Sequence, residues 1–156
     1  MFFGITNAQP IYGVKAICQF VKSRLIKLTM LNYFLVIDNT GNEQKFELAI
    51  RRINKNFRLI SAVNCKEGLR IYRKVNPQFV LINYDLADLT GLECFQQLMS
   101  VQKNRHAAVY IHHRLITPNL VSKALYRGAK ACFSFNGSEH DIKSYLLEIM
   151  RTSGFN

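Results

Sequence analysis

The chain is poor in acidic residues. Its 156 residues include 10 aspartates and glutamates against 21 lysines and arginines, so the formal net charge is +11. No acidic residue precedes Asp38. An excess of this size attracts polyanions such as nucleic acid, anionic lipid or an acidic protein. The cations are spread along the sequence without a tight basic and aromatic cluster, so the charge by itself does not indicate a dedicated nucleic-acid site.

Long apolar runs are also absent. The only candidate region is interrupted by Lys15, Lys22, Arg24 and Lys27, whereas a membrane-spanning helix needs roughly 20 consecutive apolar residues. The first residues lack the basic leader and small-residue cleavage site of a secretory signal. We therefore expect a cytoplasmic protein without a transmembrane segment.

Cysteine pairs at close spacing are missing as well. The chain has 4 cysteines and no Cys-x-x-Cys motif, and three of the four lie within or beside apolar runs, where a thiol behaves as a small hydrophobic group. We expect all four to be reduced. They are Cys18, Cys65, Cys94 and Cys132.

What the sequence does contain is a regular alternation of short apolar runs and helix-period segments. Strands are predicted at 34–37, 58–63, 79–84, 107–112 and 131–135, and helices at 43–54, 66–74, 91–103, 118–127 and from 138 onward. Thr117 and Ser138 are predicted to cap the last two helices. Strands that alternate with helices predict an α/β, doubly wound parallel sheet with helices on both faces.

In such a sheet the functional crevice lies at the carboxyl ends of the strands. The residues at these ends are polar or aromatic, and they are therefore the candidate functional residues. They are Asp38 and Asn39, Asn83, His112 and His113, and Phe135.

The segment 77–93, PQFVLINYDLADLTGLE, resembles the phosphoacceptor segment of response-regulator receiver domains from two-component systems. In that family a proline, five mostly apolar positions and an aspartate are followed, eight residues after the aspartate, by a glycine and soon a glutamate. Counted from Pro77 or from Gly91, the acceptor position falls on Asn83. A second match is the run 127–133, RGAKACF, which is similar to the family's Ala-Gly-Ala-x-x-aromatic run.

The resemblance covers about 32–150. It implies a flavodoxin-like fold with five parallel strands in the order 2-1-3-4-5 and five helices. It also implies two parts of the chain: an N-terminal extension over 1–31 and a receiver-like domain over 32–152. The extension carries apolar residues at helical spacing, which predicts a basic amphipathic helix that packs on the domain, pairs with a second copy or lies on an anionic membrane. An upstream extension of the true start is the other interpretation.

A working receiver holds Mg²⁺ with an acidic pair and attacks a phosphoryl group with an aspartate. The resemblance places Asp38 and Asn39 at the acidic pair and Asn83 at the acceptor. His112 stands at the family's Ser/Thr position, and Phe135 stands at its lysine. We expect a pseudo-receiver that is not phosphorylated at position 83 and has no cofactor beyond weak Mg²⁺, held by Asp38 and Asp85 if at all.

Neighbouring residues offer alternatives. Using Asp85 as the acceptor would require a two-residue slip that neither flank supports, and Asp88 is expected to cap a helix or to be solvated. His112 and His113 point to opposite faces of a strand, so they cannot easily share a metal ion. We expect His112 to face the pocket with Asp38 and to fill the space of the threonine and phosphate, and Phe135 to fill the space of the lysine.

The function predicted from these features is a receiver-like signalling module that acts by protein contacts without phosphorylation and is not an enzyme. The fourth helix, fifth strand and fifth helix would contact a protein partner or a second copy. A nucleic-acid or anionic-surface binder is the alternative, and a phosphoryl-transfer enzyme that retains Mg²⁺ ranks last. The predicted partner surface comprises Leu120, Lys123, Tyr126, Cys132, which replaces the family's switch aromatic, and Phe133.

Overall fold

A computed structural model of the chain describes residues 32–101 and 107–154. The predicted N-terminal helix and Cys18 lie outside the described residues. Ten elements follow one another in strict alternation: β1 Asn32–Ile37, α1 Glu43–Ile53, β2 Phe57–Ala62, α2 Cys65–Val75, β3 Phe79–Asn83, α3 Gly91–Val101, β4 Ala108–His113, α4 Pro118–Tyr126, β5 Ala131–Ser134 and α5 Glu139–Thr152.

The five strands form one sheet in the order β2-β1-β3-β4-β5, and every pair is parallel. This confirms the predicted fold class and strand order. The observed strands begin and end within two residues of the predicted ones. The central strand β3 buries all five of its residues, as expected for a parallel strand that is covered by helices on both faces.

Two apolar layers enclose the sheet. Helices α2, α3 and α4 cover one face, where Leu35, Val80 and Ile111 are fully buried, and α1 and α5 cover the other face around Phe34 and Leu146. Alternate side chains of each strand enter opposite layers. The side chain of the last residue of a strand therefore faces either the layer of α2, α3 and α4 or the layer of α1 and α5.

The start of α3 is packed closely against the end of β3. A Cβ atom at Gly91 would lie 2.6 Å from the carbonyl oxygen of Asn83 and 2.8 Å from the Cα of Tyr84, so only glycine fits this position. Thr90 and Glu93 form a reciprocal capping box, because the Thr90 N–H donates to Oε2 of Glu93 at 2.9 Å and the Glu93 N–H donates to Oγ1 of Thr90 at 3.3 Å. The loop 84–90 is thus held at both ends. The predicted caps also form, with Thr117 accepting from the Leu120 N–H and Ser138 from the Asp141 N–H.

The prediction that all cysteines are reduced is wrong for two of them. Cys65 at the start of α2 and Cys94 in α3 form a disulfide, with their Cα atoms 5.5 Å apart, and both residues are fully buried. The sequence gives no sign of this pair, because 29 positions separate the two residues and only the packing of α2 beside α3 brings them together. Disulfides are rare in the cytosol, and the cytoplasmic location stays a prediction. Cys132 keeps a free thiol, and its burial raises its pKa.

Within the described ranges, none of the helices combines the length and the apolar character that crossing a membrane requires.

Candidate functional site

The candidate site lies where β1, β3 and β4 end. Asn83 and His112 are paired in register across β3 and β4, and Asp38 and Asn39 directly follow β1. The structure therefore brings together the residues that the sequence placed at these strand ends. Asn83 and His112 are the two buried polar side chains of the described core, with 5% and 2% of their surface exposed.

Asn83 forms the centre of a hydrogen-bond network. Its Nδ2 donates to Oδ1 of Asp38 at 3.0 Å and to Oδ1 of Asn39 at 3.0 Å, and its Oδ1 accepts from the backbone N–H of Asp85 at 3.1 Å. The opposite amide orientation would set an oxygen against the Asp38 carboxylate and an NH₂ group against an N–H, so the network fixes the orientation. The NH₂ group of Asn83 therefore points at Asp38, the acidic residue of the pocket.

The Asp38 carboxylate is satisfied by protein donors on both oxygens. Besides Asn83, the backbone N–H of Thr40 donates to Oδ1 at 3.1 Å, and the Thr40 hydroxyl donates to Oδ2 at 2.6 Å. Asn42 in turn donates to the Thr40 hydroxyl at 2.7 Å. Sequence reasoning missed this role of Thr40. The signal that could have revealed it is a hydroxyl two residues after an aspartate, a spacing that favours a local Asx turn.

Asp85 is bound to His113. Its Oδ2 lies 2.7 Å from Nε2 of His113, and Nδ1 of the same ring lies 2.6 Å from the carbonyl oxygen of Leu115. The backbone N–H of Leu115 also lies 3.3 Å from Nδ1 of His113. The ring of Tyr84 contacts His113 edge-on, with 5.2 Å between centroids. The Asp85 carboxylate, which the sequence offered as a second metal ligand, is directed away from Asp38 to a histidine on the other side of the sheet.

His112 is packed in an aromatic environment. Its ring makes an edge contact with Phe135 at 5.2 Å between centroids and lies 6.2 Å from the ring of Phe46. Phe46 and Phe135 also contact each other at 5.6 Å, and Phe135 is itself buried. His112 and Phe135 are thus joined in one apolar cluster between the sheet and α1.

No described residue makes a hydrogen bond to Nε2 of His112, although this atom is buried. Burial of the ring lowers the pKa of His112 to about 4, although the nearby Asp38 carboxylate acts in the opposite direction and His113 adds to the decrease. The ring is therefore neutral at neutral pH. The ring of His112 lies on the same face of the sheet as Asn83, close enough to Asp38 to interact with it electrostatically, and it packs there against Phe135. His113, on the opposite face, is the histidine that contacts a carboxylate.

Asp88 caps α2 from the β3–α3 loop. Its two carboxylate oxygens accept the backbone N–H groups of Cys65 at 3.0 Å and Lys66 at 3.1 Å. Partial burial by itself would raise the pKa of Asp88, but the backbone hydrogen bonds from Cys65, Lys66, Asp88 and Leu89 together hold the pKa below its ordinary value. Of the two roles the sequence suggested, capping or solvation, the structure shows a cap.

The predicted partner surface is only partly accessible. Tyr126 is 94% exposed and Lys123 is exposed. Leu120 and Phe133, however, are buried, and Cys132 is half-buried against the core. Inclusion of Leu120 and Phe133 was therefore wrong, because alternate residues of α4 and β5 enter the apolar layers. Leu115, Leu125 and Tyr126 are accessible apolar residues on or beside α4, and Leu147 is one on α5.

A comparison with protein-family models and a comparison with curated proteins give no match. Solved structures do match. The CheX–CheY complex with BeF3 and magnesium from Borrelia burgdorferi aligns with a TM-score of 0.66 and 21% identity over 82% of this chain and 93% of that chain. The signal receiver domain of a DNA-binding response regulator from Colwellia psychrerythraea aligns with a TM-score of 0.67 and 14% identity over 77% and 98%.

A CheY-like receiver domain protein from Methanospirillum hungatei gives a similar result, with a TM-score of 0.65 and 15% identity over 80% of this chain and 98% of that chain. At such low identities the likeness concerns the fold. The described part of the chain thus has the fold of response-regulator receiver domains, and the chemistry of the site has to be argued from its own side chains.

Proposed function

We propose that this chain, which has the fold of a receiver domain, is a signalling module that works without phosphorylation and acts through protein contacts. It is not an enzyme in this proposal, and it has no resident cofactor. The observation that carries the proposal is the Asn83 amide, which donates to both Asp38 and Asn39 at 3.0 Å. A neutral amide is not a nucleophile for phosphorus, and here it also occupies the acidic pocket.

Magnesium does not fit this donor set. Mg²⁺ requires oxygen ligands in near-octahedral geometry and is held at sites of this kind by carboxylate charge. The pocket offers one carboxylate, Asp38, whose oxygens already accept three protein donors. Asp85 is engaged by His113. Among residues 32–101 and 107–154, no group of three histidine, cysteine, aspartate or glutamate residues is placed to hold a metal ion.

The positions that bind phosphoryl oxygens in a receiver also lack suitable groups. His112 is buried with no partner for Nε2, and Phe135 contributes only an apolar ring that contacts it. Neither side chain donates a hydrogen bond into the pocket. The loss of these groups supports a module that does not respond to phosphate at this site and that acts through its surfaces.

Exposure of the wild-type chain to acetyl phosphate and Mg²⁺ is expected to leave its intact mass unchanged. No acyl phosphate is expected, because Asn83 is a neutral amide and neither His112 nor Phe135, at the positions that bind phosphoryl oxygens in a receiver, supplies a hydroxyl or an ammonium group. Mass spectrometry of the intact protein measures this directly. Asp85→Asn is the matched control, and an added phosphate that appears in the wild type and disappears in this variant would overturn the proposal.

The proposed contact face is defined by Lys123, Tyr126, Leu115 and Leu125. An exposed aromatic ring among aliphatic side chains is typical of an interface centre. If the partner is a second copy, Tyr126→Arg is expected to weaken self-association at least tenfold. Sedimentation equilibrium of the full chain measures this, with Leu48→Arg on α1, also exposed, as the matched control. A monomeric wild type, or equal weakening by both variants, would contradict a homodimer at this face.

A further inference from the structure

The two ends of the strands carry opposite charge. We call the side where the strands end the carboxyl edge and the side where they begin the amino edge. Each helix runs antiparallel to the strands, so every first turn lies at the carboxyl edge and every last turn at the amino edge. Acidic residues in first turns and basic residues in last turns interact favourably with the helix dipoles. Because all strands are parallel, the acidic first turns lie on one side of the domain and the basic last turns lie on the other. First turns contain Glu43, Glu67, Glu93, Glu139 and Asp141, and last turns contain Arg51, Arg52, Arg73, Lys74, Lys123 and Arg151.

Six cations at the amino ends of the strands form a surface that we name the basic edge: Arg52, Lys55, Arg58, Arg73, Lys74 and Lys130. All six are exposed, and none forms an ion pair with another residue of the described ranges. The connections 54–56, 76–78 and 127–130 contain no acidic residue. Two nearby cations do not belong to the basic edge, because each lies close to an acidic residue. Arg51 is paired with Glu47 at 3.8 Å, and the side chain of Arg127 lines a groove with Glu93.

The basic edge extends along the whole sheet. Arg52, Lys55 and Arg58 lie at the start of β2, Arg73 and Lys74 lead into the central strand β3, and Lys130 precedes β5. Strand β2 and strand β5 are the two outer strands, so four spacings of about 4.8 Å separate them, or roughly 19 Å in total. A nucleic-acid duplex of that length carries about eleven phosphate charges. The row of cations thus matches a polyanion rather than a single small anion.

Amide side chains lie between these cations. Oδ1 of Asn54 accepts the Asn56 N–H at 2.9 Å, and Oε1 of Gln78 accepts the Tyr33 N–H at 2.6 Å, so both side chains keep their NH₂ groups as donors. Phosphate and sugar oxygens of nucleic acids accept such donors. An anionic membrane would bind more tightly to a surface that also buries apolar residues, and none of the exposed large apolar residues lies in the three connections.

We propose that the basic edge binds the phosphate backbone of nucleic acid without sequence specificity. The site lies at the opposite edge of the sheet from Asn83, so it does not depend on the state of the pocket. Lys103 and Arg105 in the α3–β4 connection, and the cations of 1–31, add to the charge of the chain but lie outside the described residues. The contribution of the cations of 1–31 is separated from that of the basic edge by substitution.

Fluorescence anisotropy of the full chain with a labelled 25-base-pair duplex, between 50 and 300 mM NaCl, tests this proposal. The variant Arg58→Gln/Arg73→Gln/Lys74→Gln removes three cations of the basic edge. The matched control Lys66→Gln/Arg114→Gln/Lys143→Gln removes three exposed cations elsewhere. We expect the first variant to weaken binding at least tenfold at 100 mM salt and to reduce the slope of log Kd against log salt by about 2 to 3. The control is expected to weaken binding less than threefold.

Three results would overturn the proposal. Equal weakening by both triple variants would assign binding to bulk charge. Loss of binding in Lys15→Gln/Lys22→Gln/Arg24→Gln/Lys27→Gln, with the basic edge intact, would assign it to the N-terminal segment. Absence of saturable binding to two unrelated duplexes, together with basic-edge-dependent binding to phosphatidylserine vesicles, would assign the surface to anionic membranes instead. Thermal unfolding of each variant checks that the fold is retained.

Discussion

His112→Phe is expected to stabilise the protein in mild acid and to flatten the dependence of its stability on pH. The pKa of the buried ring is lowered to about 4, whereas an exposed histidine in the unfolded chain titrates near 6.5. Between these two values the unfolded state binds a proton that the folded state does not. The contribution of neutral His112 is therefore fully present above pH 6.5 and is lost as the pH falls toward 4.

The size of the change in the free energy of unfolding follows from the lowered pKa of His112. Lowering the pH from 7.5 to 5 should remove about 2 kcal/mol of the free energy of unfolding through this residue alone, since each pH unit below 6.5 costs about 1.4 kcal/mol. Phenylalanine does not titrate, resembles the ring in size and suits the aromatic surroundings of Phe46 and Phe135. It also removes a buried nitrogen without a partner, which by itself costs about 1 to 3 kcal/mol.

Urea unfolding of both proteins at intervals from pH 5 to 7.5 measures the difference. The free energy of unfolding of the wild type should fall more steeply than that of His112→Phe, with about 2 kcal/mol separating the two changes. His140→Gln is the matched control, because His140 is exposed and its loss should leave the wild-type slope almost unaltered. Parallel curves for the wild type and His112→Phe would show that the ring is not held neutral by burial.

The fold could be predicted from the sequence because local signals agree with tertiary packing throughout the domain. Each strand is a short apolar run, each helix has an apolar face, and Thr117 and Ser138 cap their helices as their side chains indicate. The disulfide could not be predicted. It depends on how α2 and α3 lie beside one another, and no local pattern in the sequence reports the distance between Cys65 and Cys94.

For the site, the sequence identified which residues come together but not what their side chains do there. Strand ends fixed the positions of Asn83 and His112, since register follows from the parallel sheet. Alternation along β4 also indicates that His112 and His113 face opposite sides of the sheet. The contact between His113 and Asp85 could not be predicted, because it depends on the conformation of the loop that follows β3. The donors from Thr40 to Asp38 arise in a loop, where the sequence constrains the backbone weakly.

Asn83→Asp is expected to destabilise the protein markedly in metal-free buffer. The substitution removes both donors that Asn83 directs at Asp38 and Asn39 and sets a second carboxylate about 3.0 Å from Asp38. Two lost hydrogen bonds and a like-charge contact in a buried position cost about 2 to 4 kcal/mol. Mg²⁺ should then become a ligand of the folded state, because two carboxylates replace one.

If the variant binds Mg²⁺ with a Kd near 1 mM, 10 mM Mg²⁺ would restore about 1.4 kcal/mol of its free energy of unfolding by mass action. Asn83→Ala separates the two effects. It also loses both hydrogen bonds, but it supplies no carboxylate and should not respond to Mg²⁺. The wild type should not respond either, because its amide already donates to the acidic pocket.

The most direct measurement is therefore urea unfolding of the wild type, Asn83→Asp and Asn83→Ala, each in EDTA and in 10 mM Mg²⁺. We predict that Mg²⁺ raises the free energy of unfolding of Asn83→Asp alone. A comparable increase in the wild type would contradict the central claim that the Asn83 amide keeps Mg²⁺ out of the acidic pocket.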